Sequence, residues 1–374
     1  MSIAFEALSE ALRSIAPWEH AAEWDNVGEL ILPFARTTGV SKALLTIDLT
    51  QAVVDEAAAG GANVVVAYHP PIFKPLKHVR IDDAATGVAA RCMVEGVAVL
   101  SPHTALDAAA GGVNDWLAGR LGPGEARPIE RPAPAGGLYK VVVFVPADDA
   151  DALRAALSDA GAGVIGDYSQ CSYSVGGEGT FLGGATTNPA VGERGRLERV
   201  AELRMEMVCH ASDLPAVREA VDAGHPYEEP AWDVVPLVEP APAGVGQGRL
   251  VTLDNAVGFE TLVERIKSEL GLAAARVATP PGWPRDRAVR TVALCPGAGG
   301  SVVAQTGAEV YLTGEMRHHD VLAANARGSA VVLTEHTNCE RGYLPELKRR
   351  LEAACGDGVA ISVSQVDADP LRTV

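Results

Sequence analysis

The chain has 374 residues, of which 48% are hydrophobic, and a formal net charge of −17. That length suffices for two or three domains, and no apolar run approaches the roughly 20 residues a membrane helix needs. The acidic balance excludes a broad nucleic-acid surface but leaves room for a buried phosphate pocket.

The six cysteines, at 92, 171, 209, 295, 339 and 355, form no Cys-x-x-Cys pair, and the first residues carry no basic-then-apolar leader. The sequence is therefore read as cytoplasmic, with free thiols. Residues 4–16 place Phe5, Leu8, Leu12 and Ile15 on one helical stripe. Glu23-Trp24-Asp25-Asn26-Val27-Gly28 is a polar turn, either around a packed Trp or at the rim of a site. Val40–Ile47 reads as a strand. Thr50 caps the helix Gln51–Ala59, and Gly60-Gly61 stops it. The β-branched run Asn63–Val66 is a buried strand running into Ala67-Tyr68-His69-Pro70-Pro71-Ile72-Phe73, so this segment is a βαβ unit of a parallel sheet. A helix over 84–95, a strand Val97–Leu100 and a helix over 112–120 continue the pattern, with His103 and Asp107 just past the strand.

Gly122–Gly137 and Glu239–Gly244 are Pro-rich and read as linkers. Between them lies a strand–cap–helix repeat: strand Tyr139–Val145 with helix 149–160, then strand Leu203–Cys209 with helix 214–223. That predicts an α+β ferredoxin-like βαββαβ module over 137–239, inserted into an α/β core formed by 1–130 and 240–374. In the second part of the core, helix 256–270 is followed by strand Thr291–Leu294 and the turn Cys295–Ser301. Helix 301–307, strand Glu309–Leu312, helix 320–327, strand Ala330–Leu333, helix 340–354 and strand Val359–Val363 complete it.

In open α/β sheets, ligands bind beyond the carboxyl ends of strands. Four histidine-bearing segments follow predicted strand ends here: His69, His103–Asp107, His318-His319 and His336–Glu340. Imidazole and carboxylate four residues apart suit zinc, iron or manganese when a helix start turns both to one face, although the spacing alone is common on solvated helix starts. The concurrence of the four segments is what points to a metal site. Pro296–Ser301 is read as a tight turn rather than a phosphate cradle, and Cys339 as packing. His225-Pro226-Tyr227-Glu228-Glu229-Pro230-Ala231 reads as a rigid turn or as a loop reaching into a cavity.

Assembled in order, Trp24–Gly28, Tyr68–Phe73, His103–Asp107, Thr313-Gly314-Glu315 and His336–Gly342 resemble the NIF-three-like family of GTP cyclohydrolase 1 type 2 homologues. The middle block, with Gly177–Phe181 and His225–Ala231, is similar to the CutA/PII-like module of its longer members. The resemblance implies a dinuclear site of divalent ions, two per chain, with ligands His69, Asp107, His336 and Glu340. It also implies a toroidal homohexamer. Tyr68 stands where many members have a second histidine. A phenol with pKa near 10 is a poorer ligand unless a metal deprotonates it, so that position should bind more weakly. Two functions follow. One is a di-metal hydrolase that activates water for attack on a nucleotide, with His103 or His319 moving protons. The other is a metal-binding, ring-forming regulatory or assembly protein without catalysis.

Overall fold

The computed structural model describes residues 2–33, 39–83, 86–131, 137–237 and 244–372. Runs of Val, Leu and Ala too short for helices build two sheets within one compact unit, Met1–Pro132 with Pro242–Val374. In the first sheet β2 (Lys42–Thr46), β3 (Val64–Ala67), β4 (Ala98–Ser101) and β15 (Ala360–Val363) run parallel, in the order β4-β3-β2-β15. An antiparallel edge strand, β1 (Gly28–Ile31), adds to β4. All four residues of β3 are buried, and a fully buried valine is worth roughly 1.5–3 kcal/mol, so this strand anchors its sheet. α1 (Phe5–Ile15) buries Phe5, Leu8, Leu12 and Ile15 beneath it, as the periodicity predicts. α2 (Gln51–Gly60) is capped by Thr50, whose hydroxyl accepts from Val53 N, and ends on left-handed Gly61.

In the second sheet β12 (Ala288–Cys295), β13 (Val310–Thr313) and β14 (Ala330–Leu333) run parallel. They are flanked by antiparallel β11 (Arg276–Ala278) on one side, and by β10 (Gln247–Gly258) with β5 (Gly124–Glu130) on the other. Three expectations change here. Gly124–Glu130, read as linker, is an edge strand; an edge tolerates Pro128 because only one side of the strand is paired. The helix expected from 256 begins at Phe259, because β10 runs on to Gly258. The helix expected over 340–354 begins at Leu344, after two 3₁₀ turns at Thr337–Cys339 and Arg341–Tyr343. β5 ends at Glu130 and β10 begins at Gln247, and these two residues are register partners.

The other unit, Ala133–Ala241, runs β6 (Leu138–Pro146), α6 (Ala150–Asp159), β7 (Tyr173–Leu182), β8 (Leu197–His210), α7 (Leu214–Gly224) and β9 (Trp232–Pro236). Its antiparallel sheet has the order β7-β8-β6-β9. Val141, Val143, Val145, Met205 and Met207 bury against Leu153, Leu157, Val217 and Val221 of the two helices. β8 is longer than the predicted Leu203–Cys209 because its first half pairs with β7 away from this core and carries no buried apolar signature. Of the second Pro-rich stretch, residues 239–243 lie outside the described residues.

Candidate metal centre

Six parallel strands of the larger unit end at one place. In the first sheet, β2 runs into Asp48, β3 into Tyr68 and His69, and β4 into His103 and Asp107. In the second, β12 runs into Gly297, β13 into Glu315, and β14 into His336 and Glu340. Crossing from sheet to sheet, His69 Nε2 lies 3.5 Å from Glu340 Oε2, and His336 Nε2 lies 3.7 Å from Glu340 Oε1. One ligand atom from each of His69, His336 and Glu340 falls within 4.8 Å of the other two. The helical turn expected to align His336 with Glu340 is a 3₁₀ turn instead, and it still brings the two side chains together.

The imidazoles are oriented from behind. His69 Nδ1 meets Asp48 Oδ1 at 2.9 Å, and His336 Nδ1 meets Glu315 Oε1. An imidazole that donates from Nδ1 to a carboxylate keeps the Nε2 lone pair for a metal, the usual pattern behind metal-binding histidines. Those lone pairs point at Glu340, which is itself an acceptor when ionised. His69 Nε2 and Glu340 Oε2 are buried, with no hydrogen-bond partner. Glu340 is 3% exposed; burial, then the negative charges of Asp107 and Asp48, push its carboxyl well above the usual range. Two imidazole lone pairs and a carboxylate facing one another match the donor set of a divalent cation.

A fourth wall is backbone. Gly297, at φ +59°, sits so close that a Cβ there would lie 2.6 Å from Glu340 Oε1 and 3.1 Å from His336 Nε2. Gly297 N donates to Cys339 Sγ at 3.3 Å, and burial pushes that thiol up to about 12, which keeps it a structural acceptor. The Pro296–Ser301 segment is thus a tight turn forming a side of the centre. Glu335, just before His336, is held at φ +64°, backbone strain of the kind that collects at functional sites. The residues fit a divalent cation by donor chemistry, by orphaned atoms and by shape.

Asp107 lies outside that three-residue group. It is buried, and its Oδ1 accepts from the Tyr68 hydroxyl at 2.5 Å, while Asn114 Nδ2 donates to its carbonyl at 3.0 Å. Burial, then the charges of Asp107 and Glu340, push the Tyr68 phenol well above its ordinary value, so it is a donor here. Asp25, in the polar turn, holds His103. His103 Nδ1 is 2.7 Å from Asp25 Oδ1, and the backbone N–H and hydroxyl of Thr104 both donate to Oδ2. Burial pushes Asp25 upward, but these bonds and the nearby imidazole hold its carboxyl below the usual value. The His103 ring is edge-on to Tyr68 and to His69, with centroids 5.6 and 5.4 Å apart. Trp24 is 63% exposed, beside Phe73 and His103, so the turn is a rim and not a packed core. Asn26 Nδ2 ties it to Ile72 O at 2.5 Å. His318 and His319 are exposed on α10 (His318–Ala326), edge to edge with each other and outside the group. In the other unit, His225 is buried, accepts from Tyr227 N and meets Phe144 O at 2.9 Å, so it fixes the turn, while Tyr227, Glu228, Glu229 and Ala231 line a cavity of that unit.

Sequence reasoning missed Asp48, Glu315 and Asp25 as anchors, and Gly297 as a wall. The available signal was position: each follows a strand end or borders an aromatic turn, as the histidines do.

The model of Duf34/NIF3 (NGG1p interacting factor 3) matches residues 3–370. The chain belongs to the DUF34/NIF3 family. It is 36% identical to NIF3-like protein 1 of Bos taurus, over 99% of this chain and 92% of that protein. It is 35% identical to a GTP cyclohydrolase 1 type 2 homolog of Bacillus subtilis, over 99% and 98%. A Bacillus cereus protein related to NIF3 superposes with a TM-score of 0.66 at 35% identity, covering 99% and 98% of the two chains. A Staphylococcus aureus protein at 24% identity shares the fold, with a TM-score of 0.77 over 100% and 99%. No helix among the described residues is long and apolar enough to cross a membrane.

Proposed function

We propose that this family member is a cytoplasmic metal-dependent hydrolase, acting on a nucleotide from within a homohexameric ring. Its divalent ions, two per chain, would be zinc, iron or manganese. The observation that carries the reading is the cluster of His69 Nε2, His336 Nε2 and Glu340, where two buried acceptor atoms have no partner. A bound divalent cation supplies Lewis-acid polarisation of water or substrate.

His69, His336 and Glu340 hold the first ion, and Asp107 supplies a carboxylate toward the second, weaker position. Tyr68 keeps that carboxylate oriented and offers the position only a phenol. Asp48 and Glu315 fix the two imidazoles. His103, fastened by Asp25 and with its ring against those of Tyr68 and His69, is the proton-transfer group of this proposal. His319 is exposed and lacks such an anchor. The nucleotide substrate is supported by the names of relatives such as the B. subtilis homologue. Metal analysis of purified protein, with GTP turnover before and after His336→Ala and Glu340→Ala, tests the reading. Activity that survives either substitution, or no turnover by metal-loaded protein, would sink the hydrolase.

One observation favours the second reading, a metal-binding regulatory ring. Unit Ala133–Ala241 has its own cavity of about 670 Å³, lined by Phe144, Phe181, Arg204 and Tyr227 among others, within the size range of small-molecule sites. Under this reading the protein binds metal and forms rings in native mass spectrometry, with no turnover of any nucleotide.

A further inference from the structure

Past β15 the chain does not leave the molecule. Ser364 N bonds Leu45 O at 2.8 Å, and Glu56 accepts from Ser364 Oγ and Gln365 N. The segment then crosses the carboxyl ends of the strands toward the second sheet. Asp367 has a side chain only 2% exposed, and its Oδ2 receives two donors. One is the backbone N–H of Ile47 at 2.7 Å. The other is Arg341 Nη1 at 2.6 Å. Two residues on, Asp369 Oδ2 accepts from Thr337 Oγ1 at 2.7 Å, and that same Oγ1 accepts from Arg341 Nη2 at 3.2 Å.

Both donors to Asp367 adjoin the metal centre. Ile47, whose N–H donates to Asp367, accepts at its own carbonyl from His69 N at 3.0 Å, and it precedes Asp48, the anchor of the His69 ring. Arg341 follows Glu340, and Thr337 follows His336. A single carboxylate oxygen therefore joins the end of β2, which bonds His69 through Ile47 O and Asp48, to the turn that carries the other ligands. The two come from different sheets, and among the described residues no strand pairing links those sheets.

We infer that Ser364–Asp369 is a strap that sets the separation of His69 from His336 and Glu340, with Asp367 and Asp369 as positioning residues for cation binding. The inference rests on the reading of those three side chains as ligands. Groups behind metal ligands typically contribute 10–100-fold in affinity. Asp367→Asn keeps an acceptor for Ile47 N but loses the charge facing Arg341. Asp367→Ala loses both.

The test measures Zn²⁺ affinity of the full chain by chelator competition, the Co²⁺ absorption spectrum, and the melting temperature of metal-free protein. Asp367→Asn is expected to weaken Zn²⁺ binding about tenfold, and Asp367→Ala up to about a hundredfold, with altered Co²⁺ bands in both. Asp369→Ala should fall between wild type and Asp367→Ala. If the variants melt lower but bind Zn²⁺ as wild type does, with the same Co²⁺ bands, the segment is ordinary packing and the strap is overturned while the centre stands. If wild type itself binds neither ion, the centre fails and the strap with it.

Discussion

The two sheets of the larger unit reach the metal centre by different means. The first sheet delivers side chains already fastened to partners: His69 to Asp48, His103 to Asp25 and Tyr68 to Asp107. The second delivers a glycine backbone, a half-exposed His336 braced by an exposed Glu315, and a buried carboxylate with an unpartnered oxygen. One side is organised before any ion arrives. The other side braces only its imidazole and holds the buried carboxylate that faces the negative charges of Asp107 and Asp48. Preorganisation and unsatisfied charge are separable contributions to binding, and here they sit on separate elements.

The largest effect should come from the unsatisfied side. Glu340→Gln should abolish metal uptake by elemental analysis while raising the melting temperature of the metal-free chain, because it removes a buried charge repelled by Asp107 and Asp48. A lower melting point would show that Glu340 is balanced without metal and would erase the contrast between the sheets. Next comes Gly297→Ala, whose Cβ would press on Glu340 and His336. Forcing alanine into left-handed backbone costs roughly 1–2 kcal/mol, and metal binding should fail as well. Gly282→Ala is the control: it has φ +76° with nothing within 4 Å of its Cβ, so it should carry the strain and leave metal binding intact.

Among the anchors, Asp48→Asn should weaken metal binding by about 10–100-fold in a competition titration. Glu315→Gln should cost less, since Glu315 is 52% exposed against 36% for Asp48. Equal losses would mean that the second sheet is as preorganised as the first. Tyr68→His should raise the number of metals per chain by filling the weaker position, and two tightly held ions in the unaltered chain would contradict that. The smallest effect lies far from the centre. Glu309 accepts from the N–H groups of Arg290 and Thr291 and from the Thr291 hydroxyl. Burial raises its carboxyl pKa, but these bonds outweigh burial and hold it below the ordinary 4.5. A folded value below the unfolded one stabilises the protein above that pH and is lost on acidification. Glu309→Gln should therefore lower the melting temperature at neutral pH, and the difference should close as pH falls below 4.5.

The parallel strands were legible because each is a short run of buried Val, Leu and Ala, and a residue just past such a run is marked by position. His69, His336 and Glu340 could thus be named from the sequence, and the structure sets them side by side. Edge strands were not legible. β5 holds Pro128 and exposes much of its length, so its composition is that of a linker, and only its pairing with β10 reveals it. Asp48 and Asp25 were missed for another reason. A carboxylate in a turn looks the same whether it faces solvent or an imidazole brought from a distant segment. Asp107 is implied as a ligand by the family resemblance, and neither that nor its spacing from His103 shows that its oxygen is engaged by Tyr68.

The pairing of Glu130 with Gln247 has a consequence for the architecture. Antiparallel partners lie about 5 Å apart, so the intervening segment starts and ends at neighbouring points of the second sheet. Loop-closure entropy grows only slowly with length, and the second sheet therefore accommodates a whole folding unit at that point for little more than the cost of a long turn. The larger unit is in this sense a host with a single graft point on an edge strand, remote in the sheet order from β13 and β14. Excising the graft and closing Glu130 to Gln247 with a short Asn-Gly turn should yield a smaller chain that still takes up metal.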